Sequence, residues 1–215
     1  GAILGIAAYP SVQEIPGTVD MAVIVIPAAA VPAALTECGE KGIKHVVIIT
    51  AGFKESHSEE GAALEAQVKN IAKTHGISVV GPNCLGVLKT SLNMNASFAK
   101  NLPPKGNVTL ISQSGATAVG IMDLAPMLGL GFSSVFSIGN KTVMDECDYL
   151  EMCEHDPETK VIGMYLESIE RGRDFLEVAR RVAAKKPIVL LKSGGSELGH
   201  KAAASHTGAL AGSEA

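Results

Sequence analysis

Two runs constrain the fold of this chain more than any other feature: Met21–Ile26 (MAVIVI) and His45–Thr50 (HVVIIT). Both are continuous, apolar and rich in β-branched residues. A strand with one wet face alternates apolar and polar residues. A run apolar at nearly every position predicts burial on both faces, as in a parallel sheet covered by helices. The segments between such runs carry a helical period. Ser58–His75 places Leu64, Val68, Ile71 and Ala72 on one face, with Gly76 as a stop. Val31–Glu40 predicts a shorter helix with Pro32 in its first turn, and Ile77–Gly81 a third strand.

Asn101–Gly106 reads as a linker by composition, and the alternation restarts after it. Strands are predicted at Val108–Ser112, Ser133–Ile138, Val161–Glu167 and Pro187–Lys192. Helices are predicted at Gly115–Leu128, Asp145–Glu154 and Asp174–Ala184, the last with Phe175, Val178, Ala179 and Val182 on its buried face. The expectation is an α/β protein: a Rossmann-like unit over residues 1–102, then a flavodoxin-like unit over 103–215. The chain opens GAILGIAAYP without a methionine, in a segment that reads as a connection. The first unit is therefore expected to lack its opening part.

Composition excludes several classes. With 47% hydrophobic and 19% charged residues over 215 positions, the chain is neither disordered nor too short for a core. No apolar run approaches the roughly 20 residues of a membrane span. A net charge of −4 gives no basic stripe for nucleic acid, and the densest cluster, Arg180-Arg181 with Lys185-Lys186, reads as a solvated helix end. Cys38, Cys84, Cys147 and Cys153 are scattered, without a C-x-x-C, so neither a disulfide framework nor a zinc site is expected. Reduced thiols and a cytoplasmic setting are the expectation.

In open α/β sheets ligands bind beyond the carboxyl ends of the strands. Ser112-Gln-Ser-Gly-Ala-Thr117 runs from a predicted strand straight into a helix. Free N–H groups and the helix dipole suit an anion there, with hydroxyls from Ser114 and Thr117; ordinary N-capping by Ser114 is the structural alternative. Glu167 ends its strand, with Arg171 and Arg173 just beyond. It is either an orienting carboxylate for an imidazole or a salt-bridge partner of an arginine. Cys84, in GPNCLG, is either a reactive thiol or a small buried hydrophobe. Gly194–Gly212 holds one imidazole, His206, among small residues. Such a stretch reads as a mobile loop carrying a nucleophile, or as a tail whose histidine meets water.

GPNCLG, SQSG, SIGNK, YLES and SHTGALAG, in this order, resemble the α part of nucleoside-diphosphate-forming acyl-CoA synthetases, across essentially all 215 residues. The resemblance implies reversible conversion of acyl-CoA, phosphate and ADP to free acid, CoA and ATP, through an acyl phosphate and a phosphohistidine. It implies His206 as the phosphorylated residue and Glu167 as its positioning carboxylate. Ser112, Ser114, Gly115 and Thr117 would hold phosphate; Pro27, Ala28, Ile49, Thr50, Ala51, Asn83 and Cys84 would surround CoA. The family's glycine-rich first turn is absent, as is the ATP-grasp part that binds ATP or ADP with magnesium. That part is expected on a β subunit or further domain of an oligomer. Val119 stands where the succinyl type has a tyrosine, and SIGNK resembles the acetyl type, so a small monocarboxylic acid is expected. Two other readings accompany this one: a CoA- or ligand-sensing module of a protein acetyltransferase, and a citrate-cleaving relative.

Overall fold

The computed structural model describes residues 1–194. The chain opens with a small antiparallel pair, β1 (Ala2–Ile3) and β2 (Ile6–Ala7), whose Ile3, Leu4 and Ile6 face solvent. A three-stranded parallel sheet follows, built from β3 (Met21–Ile24), β4 (His45–Ile48) and β5 (Ser78–Val80) in that spatial order. Helices α1 (Val31–Glu40) and α2 (Glu59–His75) make its crossovers. Ser58 caps α2 by accepting from Gly61 N–H, and Gly76 ends it in the left-handed conformation that a Cβ disfavours. Val46, Ile48, Val31, Leu35, Val68 and Ala72 form the core between sheet and helices.

The second sheet has six strands in the order β11-β10-β8-β9-β6-β7. They are β6 (Gly86–Lys89), β7 (Met94–Ser97), β8 (Lys105–Ser112), β9 (Phe132–Ser137), β10 (Val161–Leu166) and β11 (Ile188–Lys192). The four from β8 onward run parallel, whereas β6 is antiparallel to both β9 and β7. Helix α3 (Gly115–Leu124) covers one face, and α4 (Glu146–His155) with α5 (Gly172–Ala183) the other. On β8, Leu110 packs on the α3 side and Ile111 on the α4–α5 side, so the strand is buried on both faces.

Four features depart from the sequence expectation. The hairpin β6–β7 was not foreseen; it precedes the compositional linker yet pairs in the second sheet. Part of that linker is strand, because β8 begins at Lys105. The helix after SQSG stops at Leu124 and tightens into a 3-10 turn, Ala125–Leu128, around Pro126, which has no N–H for an α-helical bond. Burial on both faces also fails at the sheet edges: Val23 on β3 and Val189 on β11 are exposed, since each strand has only one neighbour. No described helix is long and apolar enough to cross a membrane.

Candidate active site

The parallel strand order reverses around β8, because the chain passes from β8 to β9 on one side and then over to β10 on the other. That reversal opens a crevice at the carboxyl ends, where ligands gather in this architecture. Three motifs end there: Ser112–Gly115 after β8, Gly139–Lys141 after β9 and Glu167–Ser168 after β10.

Ser112 is fully buried, and its hydroxyl donates to the Ser114 carbonyl at 2.6 Å, turning the chain from strand to helix. Ser114 is the N-cap of α3. Its Oγ accepts from the Thr117 N–H at 3.2 Å and from the Thr117 hydroxyl at 3.1 Å. The Ala118 N–H is bonded to the Ser114 carbonyl. Gly115 and Ala116 are therefore the first-turn residues whose N–H groups remain for an anion, and both line a cleft of about 390 Å³. Ser114 thus fills the capping role and still borders the cleft.

The opposite wall of that cleft comes from the first sheet and the GPNCLG turn: Ile49, Ala51, Asn83 and Cys84. Six of the residues expected around CoA or phosphate therefore meet in one cavity. The others lie around it. Thr50 ties the ends of β3 and β4, its hydroxyl donating to the Ile26 carbonyl at 2.7 Å. Ala28 sits against Gly52, where an added Cβ would come within 3.2 Å of it, and Pro27 accepts from the Ala30 N–H. Thr117 is committed to Ser114. Val119 is half-buried against the Leu85–Leu110 cluster and is not among the cleft's lining residues. His206 lies outside the described residues.

Burial raises the Cys84 thiol to about 12, and its Sγ donates to the Ile48 carbonyl at 3.3 Å. It is therefore a neutral wall residue and not a thiolate nucleophile at neutral pH.

Glu167 is only 4% exposed, and its Oε2 has no hydrogen-bond partner among the described residues. Arg171 does not reach it, pairing instead with Asp145 at 2.7 Å and Asp174 at 3.2 Å. The neighbouring backbone is held closely. Gln113 Oε1 accepts from the N–H groups of Glu167 at 2.8 Å and Ser168 at 3.1 Å, and Gln113 Nε2 donates to Ser168 Oγ at 3.1 Å. Lys141 Nζ donates to the Ser168 carbonyl and to Glu146 Oε2, each at 2.8 Å. The Lys141 and Glu146 side chains are 2% and 1% exposed.

Asn140 joins the two sheets. Its Nδ2 donates to Glu55 Oε2 at 2.6 Å and Glu65 Oε2 at 2.8 Å, and its N–H to the Pro82 carbonyl at 2.9 Å. Gly139 allows this approach: its φ is +53°, and a Cβ there would lie 2.2 Å from the Pro82 oxygen. Glu55 is half-buried, which opposes its ionisation. Bonds from Asn140 and the N–H groups of Gly52 and Phe53 outweigh that and hold its carboxyl below the ordinary value.

The sequence reading assigned no role to Gln113, Asn140, Lys141, Glu55 or Glu65. Gln113, Asn140 and Lys141 stand inside the quoted motifs, and that was the available signal. A larger groove of about 980 Å³ lies by Met21, His45 and Ser78, at the amino-terminal ends of β3, β4 and β5, against α4. It contains none of the motif glycines or serines, so the smaller cleft is the candidate site.

The model of the succinyl-CoA ligase-like flavodoxin domain matches residues 105–215, and that of a CoA-binding domain residues 1–90. The acetate–CoA ligase [ADP-forming] of Methanocaldococcus jannaschii is 51% identical over 212 residues, covering 99% of this chain and 30% of that protein. The acetate–CoA ligase [ADP-forming] II subunit alpha of Pyrococcus furiosus is 49% identical, covering 98% of this chain and 46% of the subunit. The structure of Ca. Korarchaeum cryptofilum dinucleotide-forming acetyl-coenzyme A synthetase 1 with phosphate and ADP superposes with a TM-score of 0.93. It is 42% identical and is matched over 99% of this chain and 46% of its own length. The chain thus spans about a third to a half of these relatives. On its matching domain models and these identities, the chain belongs to the family of nucleoside-diphosphate-forming acyl-CoA ligases.

Proposed function

We propose that this chain is the CoA- and phosphate-handling part of an ADP-forming acyl-CoA ligase. The observation that carries the reading is the buried Glu167 carboxylate, with one oxygen unpartnered among the described residues, held beside the cleft by a residue that itself lines it. A buried carboxylate oxygen without a donor is costly unless a partner arrives. An imidazole N–H is such a partner, and accepting it leaves the other ring nitrogen free as nucleophile.

On this reading phosphate attacks the thioester carbonyl of acyl-CoA, the carbon–sulfur bond breaks, and CoA leaves with a proton as its thiol. The phosphoryl group of the acyl phosphate then passes to His206, releasing the carboxylate. It passes finally from His206 to ADP. The N–H groups of Gly115 and Ala116 and the dipole of α3 face the phosphate oxygens, where charge must be held. Ile49, Ala51, Asn83 and Cys84 border the CoA side, with Pro27, Ala28 and Thr50 behind them. Gly52 and Gly81 let the chain pack closely behind that wall: both have positive φ, and a Cβ on Gly81 would lie 2.5 Å from the Ile48 oxygen.

The nucleotide, with its magnesium, is assigned to an ATP-grasp partner subunit or domain, which fits the chain's spanning about a third to a half of relatives named as ADP-forming. The acid is a small monocarboxylate. The charged side chain lining the described cleft is the Glu55 carboxylate, so a second carboxylate on the substrate meets no cation there. All four cysteines are free and buried, which fits a reducing cytoplasm.

The test is phosphoenzyme formation by the chain assembled with its ATP-grasp part, given acetyl-CoA and radiolabelled phosphate. Acid-labile, base-stable label is expected on His206 by mass spectrometry at neutral pH. Active enzyme that carries no label, or carries it elsewhere, overturns the reading in favour of a sensing module or another route.

A further inference from the structure

The same strand end shows a feature that the phosphohistidine reading does not need and that points to a further role. The strand end from Tyr165 to Ser168 is gripped from two sides by residues of two other motifs. From SQSG, the Gln113 side chain makes three bonds to it: Oε1 receives the Glu167 and Ser168 N–H groups, and Nε2 reaches Ser168 Oγ. The Gln113 backbone N–H adds a fourth, to the Tyr165 carbonyl at 2.9 Å. From SIGNK, Lys141 Nζ holds the Ser168 carbonyl, and its charge is met by Glu146. Past Leu166, ladder pairing between β10 and β8 has ended, at Tyr165–Ser112. The Gln113 amide therefore supplies an acceptor for two N–H groups that the ladder no longer serves.

We infer that Gln113 is a positioning residue for Glu167: its amide, aided by Lys141, fixes the strand end so that the free oxygen of Glu167 keeps one approach direction. The inference rests on Glu167 acting on His206, but adds a residue and a mechanism to that reading. An orienting carboxylate works only if its own backbone is fixed. Gln113 gives that rigidity through hydrogen bonds, without contacting the imidazole itself. It also links the anion-binding turn to the carboxylate, since Gln113 lies between Ser112 and Ser114 and lines the cleft.

The clamp can be read directly by amide hydrogen exchange. The Glu167 and Ser168 N–H groups are expected to exchange slowly, and in Gln113→Met to accelerate about tenfold or more. Unchanged exchange in a folded variant overturns the clamp. Its action on Glu167 is read by a double-mutant cycle on His206 phosphorylation, using Gln113→Met, Glu167→Gln and the double variant in the assembled enzyme with acetyl-CoA and radiolabelled phosphate. Each single change is expected to lower the maximal rate about ten- to hundredfold. The apparent KM for phosphate should stay within about twofold, because ground-state binding is not what the clamp serves. The double variant should be no slower than the slower single one.

Multiplying effects would make Gln113 independent of Glu167 and overturn the inference. A slow Glu167→Gln beside an unaffected Gln113→Met overturns the inference and leaves the phosphohistidine reading standing. A silent Glu167→Gln overturns both. If Gln113→Met does not fold, Gln113→Glu carries the same cycle. It keeps an accepting oxygen for the two N–H groups but loses the donation to Ser168 and adds a like charge beside Glu167, so a comparable loss with the same non-additivity is expected.

Discussion

On β8 the adjacent residues Leu110 and Ile111 are both buried, one against α3 and the other against α4 and α5. On β3 the corresponding pair behaves differently: Ile24 is buried, whereas Val23 is 40% exposed. β3 is an edge strand, as is β11 with its exposed Val189. The sheets differ rather in what covers their inner strands: β8 is covered on both faces by helices of its own unit, whereas α1 and α2 cover one face only of the three-stranded sheet. Its other face leans on the second unit through a small cluster of Val47, Cys84 and Val87, with Met94 and Phe136 packed against it. The polar link through Asn140, Glu55 and Glu65 sits at the same junction. The α3 side of the cleft is thus built on a self-sufficient frame, and the side formed by Ile49 and Ala51 is held in place by that frame. Separate disturbance of frame and junction should expose this asymmetry.

The largest effect is expected inside the frame. Lys141→Met leaves Glu146 with a fully buried charge and no cation, and removal of one partner of such a pair costs about 3–5 kcal/mol. Urea denaturation followed by circular dichroism should show one early transition for the whole chain, because the first unit loses its support with the frame. Lys141→Met combined with Glu146→Leu should recover most of the loss, since no lone charge remains. A single variant within about 1 kcal/mol of the parent would mean that the pair relaxes into water.

A smaller, local effect is expected at the junction. Asn140→Leu keeps the bulk but removes the donor shared by Glu55 and Glu65. Hydrogen bonds to charged groups contribute about 1.5–3 kcal/mol each, and neighbouring donors retain part of that here. The first unit should lose stability while the second keeps its own midpoint, splitting unfolding into two steps. A single transition that merely shifts would show that the two sheets depend on each other equally.

This difference between frame and junction also governs what the sequence could reveal. The parallel strands were legible because a strand buried on both faces must be apolar throughout, as in HVVIIT, where Val46, Val47 and Ile48 are all buried. MAVIVI reads the same way, yet β3 is an edge strand that leaves Val23 exposed. Which of them lie at sheet edges was not, because edge status depends on the spatial order of strands. The hairpin β6–β7 escaped notice for a related reason. Its four-residue strands carry little alternation, and Leu88 is buried only once β6 has paired with β9, whose Val135 lies opposite it. At the site, the glycine- and serine-rich strand ends were legible from their position after strands. The roles of the polar residues among them were not, because their partners are distant: Gln113 serves a residue 54 positions away, and Asn140 one 85 positions away. Composition carries no trace of such pairings.

The smallest expected effect concerns pH, and it sharpens the account of the junction. Burial alone would raise the Glu55 carboxyl. Its hydrogen bonds, from Asn140 and from the Gly52 and Phe53 N–H groups, lower it below its ordinary 4.5 in the fold. A carboxyl whose folded pKa is depressed adds stability that is fully present above its unfolded pKa and is lost as pH falls through the folded one. The first unit should therefore weaken on acidification below about 4.5 while the frame responds less at this site. In Asn140→Leu one of the lowering bonds is gone and the burial remains, so the Glu55 titration should move upward and acid weakening should begin at a higher pH. A ¹³C NMR titration of the Glu55 carboxyl, in parent and variant, measures both. If the midpoint stays where it was, the two backbone N–H groups alone hold the carboxylate, and Asn140 joins the sheets through Glu65 and Pro82 only.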